Sequence, residues 1–149
     1  MASALKTRMH ADLNAARKDR DKLRTLVLST LLADVRNREI EVGGELDDDG
    51  VVQVLSRAVK QRRDASSQMR GAGRPELADQ EDAQAAVITE YLPEGLSESE
   101  VREIVREIIA GGDGQMGPVM GKVMAAVRGR FDGKEANRIV REELSAGGA

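Results

Sequence analysis

Apolar residues return every three or four positions along nearly the whole chain, and no segment alternates convincingly at every second position. Leu5, Met9 and Leu13 lie four apart and predict a first helix over about Ser3 to Lys18. A second is expected from about Arg20 to Val42, through Leu23, Leu26, Val27, Thr30, Leu31 and Val35, stopped by Gly43 and Gly44. Asp47, Asp48 or Asp49 can cap a third helix, which carries Val51, Val52, Leu55 and Val59 and ends near "RGAG" (Arg70 to Gly73). Pro75 suits the first turn of a fourth, striped by Leu77, Ala78, Gln84, Ala85, Ile88, Tyr91 and Leu92.

"YLPEGLSESE" is the sharpest break: Pro93 and Gly95 interrupt the helix, and Ser97 with Glu100 has the spacing of a capping box. The fifth helix then presents Val101, Ile104, Val105, Ile108 and Ile109, and "AGGDG" ends it. Met116, Val119, Met120, Val123, Met124 and Val127 stripe a sixth. After the turn "RGRFDG", Ala136, Ile139, Val140 and Leu144 stripe a seventh. Asp132 and Glu135 fit an N-cap and its reciprocal carboxylate there. The pattern predicts an all-α protein. A bundle of long helices occupies residues 1–92, followed by a small three-helix unit over 96–149.

Composition sharpens this picture. Among 149 residues there are one Tyr, one Phe and no Trp, so the core must be aliphatic, and no row of rings is on offer for stacking unpaired bases. No cysteine is present, which removes disulfides, thiolate ligands and a cysteine nucleophile. The start lacks the apolar core of a signal peptide, and "LVLSTLLA" is far too short to span a bilayer. These features predict a cytoplasmic protein with no membrane association. A net charge of −3 argues against indiscriminate coating of nucleic acid but leaves room for a local basic face.

Several stretches invite chemistry that their context refuses. "GPVMGK" resembles a phosphate loop, but its glycines enclose three residues rather than four. Val123 follows the lysine, and no strand precedes it. Gly117, Gly121 and Ala125 are instead expected to form a small-residue ridge for tight helix packing, beside a core row of Met116, Met120 and Met124. "DDDG" has contiguous acids without the alternation of a calcium loop, and reads as a solvated helix start. His10 stands alone, so no metal site, cofactor or catalytic residue is nominated.

Two basic groups remain. "KQRR" (Lys60, Gln61, Arg62 and Arg63) is expected to be a solvated face near a helix end. The second group is Lys122, Arg128, Arg130, Lys134, Arg138 and Arg141; between Met116 and Arg141 only Asp132 and Glu135 oppose it. Lys134, Arg138 and Arg141 share a helical face, while Gly129 and Gly133 would let backbone N–H groups approach a phosphate at the start of the seventh helix. These eight residues form a candidate nucleic-acid surface, weighed against a solvated basic face.

"VLSRAVKQRRDA", "YLPEGLSESEV", Gly121-Lys122-Val123-Met124 and "GRFDGKEANRIV", in that order, resemble the GatB/YqeY family, and specifically its YqeY-like proteins. A second alignment would put Gly117-Pro118 at the Gly-Lys position. The resemblance implies the same helical division, with a C-terminal part similar to the tail domain of the B subunit of tRNA-dependent amidotransferase. It implies tRNA as a partner, and amidotransferase or aminoacyl-tRNA synthetase components as further ones. The family label of carbon–nitrogen ligase activity with glutamine as amido donor would then require a partner, because the residues show no ATP, magnesium or glutaminase site. A protein–protein adaptor built on the long N-terminal helices, as a homodimer among other forms, is the remaining reading.

Overall fold

The computed structural model describes residues 3–147. It contains seven helices and, among the described residues, no strand: α1 (Ala4–Lys18), α2 (Lys22–Val42), α3 (Asp48–Gly71), α4 (Pro75–Thr89), α5 (Glu98–Ala110), α6 (Met116–Val127) and α7 (Gly133–Gly147). The chain divides into two compact units, one within Met1–Leu92 and the other within Pro93–Ala149.

In the first unit the helix starts follow local chemistry. Ser3 Oγ caps α1 by accepting the Lys6 N–H at 3.0 Å. Asp21 caps α2 through the Arg24 N–H, and Asp47 caps α3 through the Gly50 N–H at 2.8 Å. The second helix therefore begins at Lys22 rather than Arg20, because Arg20 occupies a turn with φ of 55°. Gly43, with φ of 76°, takes the left-handed position that ends α2. Asp48 is not the merely solvated acid expected of "DDDG": its carboxylate accepts from the Ser3 hydroxyl and from the Leu5 N–H at 3.1 Å, tying α3 to the start of α1. These bonds hold its pKa below the usual aspartate value. Lys6 reaches Glu39 at 2.9 Å, and Glu39 also accepts the Leu46 N–H, closing the same end of the bundle.

The core of this unit joins Met9, Leu13, Leu28, Leu31, Val35, Val51, Leu55, Val59, Ile88 and Tyr91. Each fully buried Leu or Ile contributes about 1.5–3 kcal/mol. Arg62, expected on a solvated face, donates instead to Gln84 on α4 at 3.0 Å and lies 3.8 Å from Glu81.

The second unit packs α5, α6 and α7 around Val101, Val105, Val119, Val123, Val127, Ala136, Ile139 and Val140. Met116, Met120 and Met124 pack half-buried against this centre, which the valines at 119, 123 and 127 occupy fully. Four-residue spacing turns those valines inward, and the methionines cover the seam. The expected packing ridge faces the other way. Gly117, Gly121 and Ala125 are exposed, and a β-carbon at either glycine would meet nothing within 4 Å. The inward valine stripe claims the packing face, so the small residues fall on the solvent side of α6.

Candidate nucleic-acid interface

The turn between α6 and α7 is built backbone first. Arg128 leaves α6 with φ of −53° and ψ of 125°, outside the helical region, and Gly129 follows with φ of 74°. A glycine is needed there, since side chains rarely adopt that region. The Arg130 N–H then returns to the Val127 carbonyl at 2.8 Å. Arg130 also ties the turn to the segment before α5: its carbonyl accepts the Leu96 N–H at 2.8 Å, and its Nε donates to the Glu94 carbonyl at 2.9 Å.

Asp132 begins α7, accepting the Lys134 N–H on Oδ1 at 3.2 Å and the Ala136 N–H on its carbonyl at 2.9 Å. Its carboxylate therefore already occupies the positive end of the helix dipole. Glu135 does not close a capping box with it, because its carboxylate pairs with Arg138 at 2.9 Å. A β-carbon at Gly133 would lie 3.4 Å from Met124 Cε, an ordinary contact with a flexible side chain, so packing between α6 and α7 does not demand a glycine there.

The six cations of this region separate into two sets, with Arg130 spent on the turn itself. Lys122 is ion-paired with Asp113 in the preceding loop. Arg138 is held by Glu98, by Glu135 and by Glu142, the last at 2.7 Å, and these hydrogen bonds raise its already high pKa. Arg102 extends the network with contacts of 2.8 Å to Glu142 and 2.9 Å to Glu143, and Arg106 reaches Glu143 at 3.0 Å. The hydrogen bonds from these arginines lower the pKa of both Glu142 and Glu143. The other set is Arg128, Lys134 and Arg141. All three are exposed, and among the described residues none has an acidic partner within 4.0 Å.

The α5–α7 network has a signal in the sequence that the basic-residue count passes over. Glu98 and Arg102, and Arg138 and Glu142, stand four apart, the spacing of neighbours on one helical face. What the spacing could not show is that the two pairs meet across helices. Phe131 is half-buried against the unit's core and Tyr91 is buried in the first unit. Both aromatic rings are thus engaged in packing. No group of three or more His, Cys, Asp or Glu able to hold a metal ion occurs among the described residues, and no described helix is long and apolar enough to cross a membrane.

The architecture is that of an all-helical protein of two compact units, the smaller carrying a glycine-turned basic corner. Residues 6–144 match the family model described as Yqey-like protein, and the chain belongs to that family. It is similar to altered inheritance of mitochondria protein 41, mitochondrial, from Pyrenophora tritici-repentis, with 26% identity over 145 residues, covering 93% of this chain and 80% of that one. It is also similar to the E subunit of glutamyl-tRNA(Gln) amidotransferase from Thermococcus sibiricus, with 42% identity over 57 residues, 33% of this chain and 9% of that one. The corresponding amidotransferase chain from Methanospirillum hungatei is 43% identical over 58 residues, again 9% of its length. The chain thus matches about a tenth of those amidotransferase subunits.

Proposed function

We propose that this protein is a helical tRNA-binding module, which reads tRNA shape and backbone through the corner formed by the end of α6 and the outer face of α7. The observation that carries this reading is the contrast within the second unit. Lys122, Arg102, Arg106 and Arg138 are neutralised by acids of the same unit, whereas Arg128, Lys134 and Arg141 stand exposed without such partners. Lys134 and Arg141 are seven residues apart and share one helical face. The exposed backbone of Gly117 and Gly121 adds a stretch of α6 that a bulky partner can approach closely. The similarity to a segment of amidotransferase subunits named for glutamyl-tRNA(Gln) supports tRNA as the ligand. The engaged aromatic rings favour shape and phosphate contacts over base stacking. Any compartment holding tRNA would serve, whether cytoplasm or mitochondrial matrix.

Arg128→Glu, Lys134→Glu and Arg141→Glu together are expected to abolish filter-bound tRNA at moderate salt. Each single reversal should lower the salt-dependence slope by roughly one. Arg102→Gln, which disturbs only the internal network, should leave the slope unchanged. Undiminished tRNA affinity in the triple variant, with helicity intact by circular dichroism, overturns the reading.

A second reading is favoured by the amidotransferase similarity itself: an accessory chain that presents tRNA to an amidotransferase using glutamine as amido donor. It predicts that adding the protein lowers the KM for charged tRNA in such an enzyme while kcat stays the same.

A further inference from the structure

The large apolar side chains left exposed among the described residues are Leu23, Leu26, Ile40 and Val42, and all four belong to α2. Ile40 is 70% exposed and Leu26 55%, values out of keeping with a finished surface. Leu23, Leu26 and Ile40 fall on one face of α2. Leu26, Ala33 and Ile40 are seven residues apart, and two helical turns bring successive members back within about 20° of one another. Leu23, Thr30 and Asn37 fill the intermediate positions, giving the alternating three-four spacing of a helix-pairing seam. At 21 residues, α2 is about 31 Å long, enough for a continuous contact.

The seam is complementary to itself when reversed. An antiparallel copy centred on Ala33 places Leu26 opposite Ile40 of the second copy and Leu23 level with Gly43, while Val42 turns to the far side of the helix. It puts the smallest residue of the seam at the crossing, where backbones must come closest. Charge agrees with this register. Beyond Leu26 the N-terminal end carries Arg17, Arg20 and Lys22, none with an ion-pair partner among the described residues. These cations, with the α2 cap Asp21 and Leu26, line an open hollow of about 600 Å³. Beyond Ile40 the other end carries exposed Glu45 and Asp49, and Glu41, which pairs with Arg38 at 2.9 Å. A parallel pair would set like against like, whereas the antiparallel pair brings Lys22 beside Glu45. Arg20 is the one non-glycine residue with positive φ among those described, a conformation costing about 1–2 kcal/mol, and it sits at this cationic end.

We infer that the protein forms a two-fold dimer through antiparallel pairing of α2 with a second copy of itself, the cationic α1–α2 corner of each copy receiving the acidic end of the other. The contact lies in the first unit and does not depend on the proposed RNA surface. Light scattering and sedimentation across the micromolar to millimolar range should show a monomer–dimer equilibrium. Leu26→Arg should raise the dimer Kd roughly thirtyfold, as loss of a central anchor does. Lys22→Glu should weaken the dimer, and adding Glu45→Lys in the same chain should restore it, a recovery that only the antiparallel register gives. Because the chain has no cysteine, Ala33→Cys should cross-link the dimer under mild oxidation, while Arg57→Cys on α3 should not. A monomer at the highest concentration overturns the inference, whatever else covers α2. A dimer insensitive to Leu26→Arg and not captured by Ala33→Cys overturns it equally. Every substituted position is exposed, so retained helicity is expected throughout.

Discussion

The two units face the same problem, burying aliphatic stripes without aromatic mass, and resolve it at different scales. The first unit has helices of 15 to 24 residues, with Leu, Ile and Met at the centre. It can leave an entire helical face of α2 uncovered. The second has helices of 12 to 15 residues and a centre of mostly valine, roofed by methionines and braced by arginines and glutamates between α5 and α7. A unit this small buries a low fraction of its surface, so its margin of stability is narrow. The lesson concerns charge. In the smaller unit much of the basic character belongs to structure, and only what remains unpaired is available to a ligand.

The largest expected effect would break the comparison at its weaker member. Ile139 is fully buried in the second unit, as Leu55 is in the first. Ile139→Ala should remove about 2–5 kcal/mol, the range for deleting such a side chain. We propose that the units unfold independently, with a division near residues 92–96. Amide hydrogen exchange should then rise throughout α5–α7 of this variant while α1–α4 keep their protection. Leu55→Ala should do the reverse. Loss of protection in both units from either substitution would show one cooperative body instead.

A smaller effect sharpens the role of the ion pairs. Glu142 and Glu143 have folded pKa values below the ordinary 4.5, first because of hydrogen bonds from Arg102 and Arg106. A depressed carboxylate stabilises the fold fully above its unfolded pKa, and the contribution fades as pH falls through the folded values. The second unit should therefore lose stability from about pH 4.5 downward. Glu143→Gln should lower its thermal midpoint at pH 7 but leave it nearly unchanged at the acid end. Equal losses at both pH values would separate Glu143 from the acid transition.

How much of this is legible in the sequence follows from the range of the forces involved. The helices, their caps at Ser97 and Asp132, and the glycine stop at Gly43 depend on neighbours within a turn, and the sequence states them directly. The inward face of α6 is legible only in part, because methionine and valine stripes run side by side and the pattern cannot say which is central. Gly117 and Gly121 look like packing residues in the sequence for that reason, and the structure corrects it. The engagement of Lys122 and Arg138 lies beyond reach, since Asp113 and Glu98 approach them only through tertiary structure. The sequence can gather cations. It cannot sort paired from unpaired.

The smallest predicted effect returns to the first unit and its single tyrosine. Tyr91 follows α4, is only 5% exposed, and donates its hydroxyl proton to Asp12 on α1 at 2.6 Å, with the Arg8 guanidinium 4.6 Å from the ring centre. Burial, then the Asp12 hydrogen bond, pushes its pKa from 10.0 up to about 12. For a phenol the neutral form is the favoured one here. Its contribution is therefore complete below pH 10 and lost as pH rises through 12. Absorbance in the near ultraviolet should show one ionisation close to 12, uncomplicated by other tyrosines or tryptophan. Tyr91→Phe should cost about 1 kcal/mol at neutral pH, the net value of one hydrogen bond, because Asp12 stays partly solvated. That loss should confine itself to α1–α4 and leave exchange in α5–α7 untouched. An ionisation near 10 in the folded protein would mean that the ring is solvated and that the end of α4 is not anchored to α1.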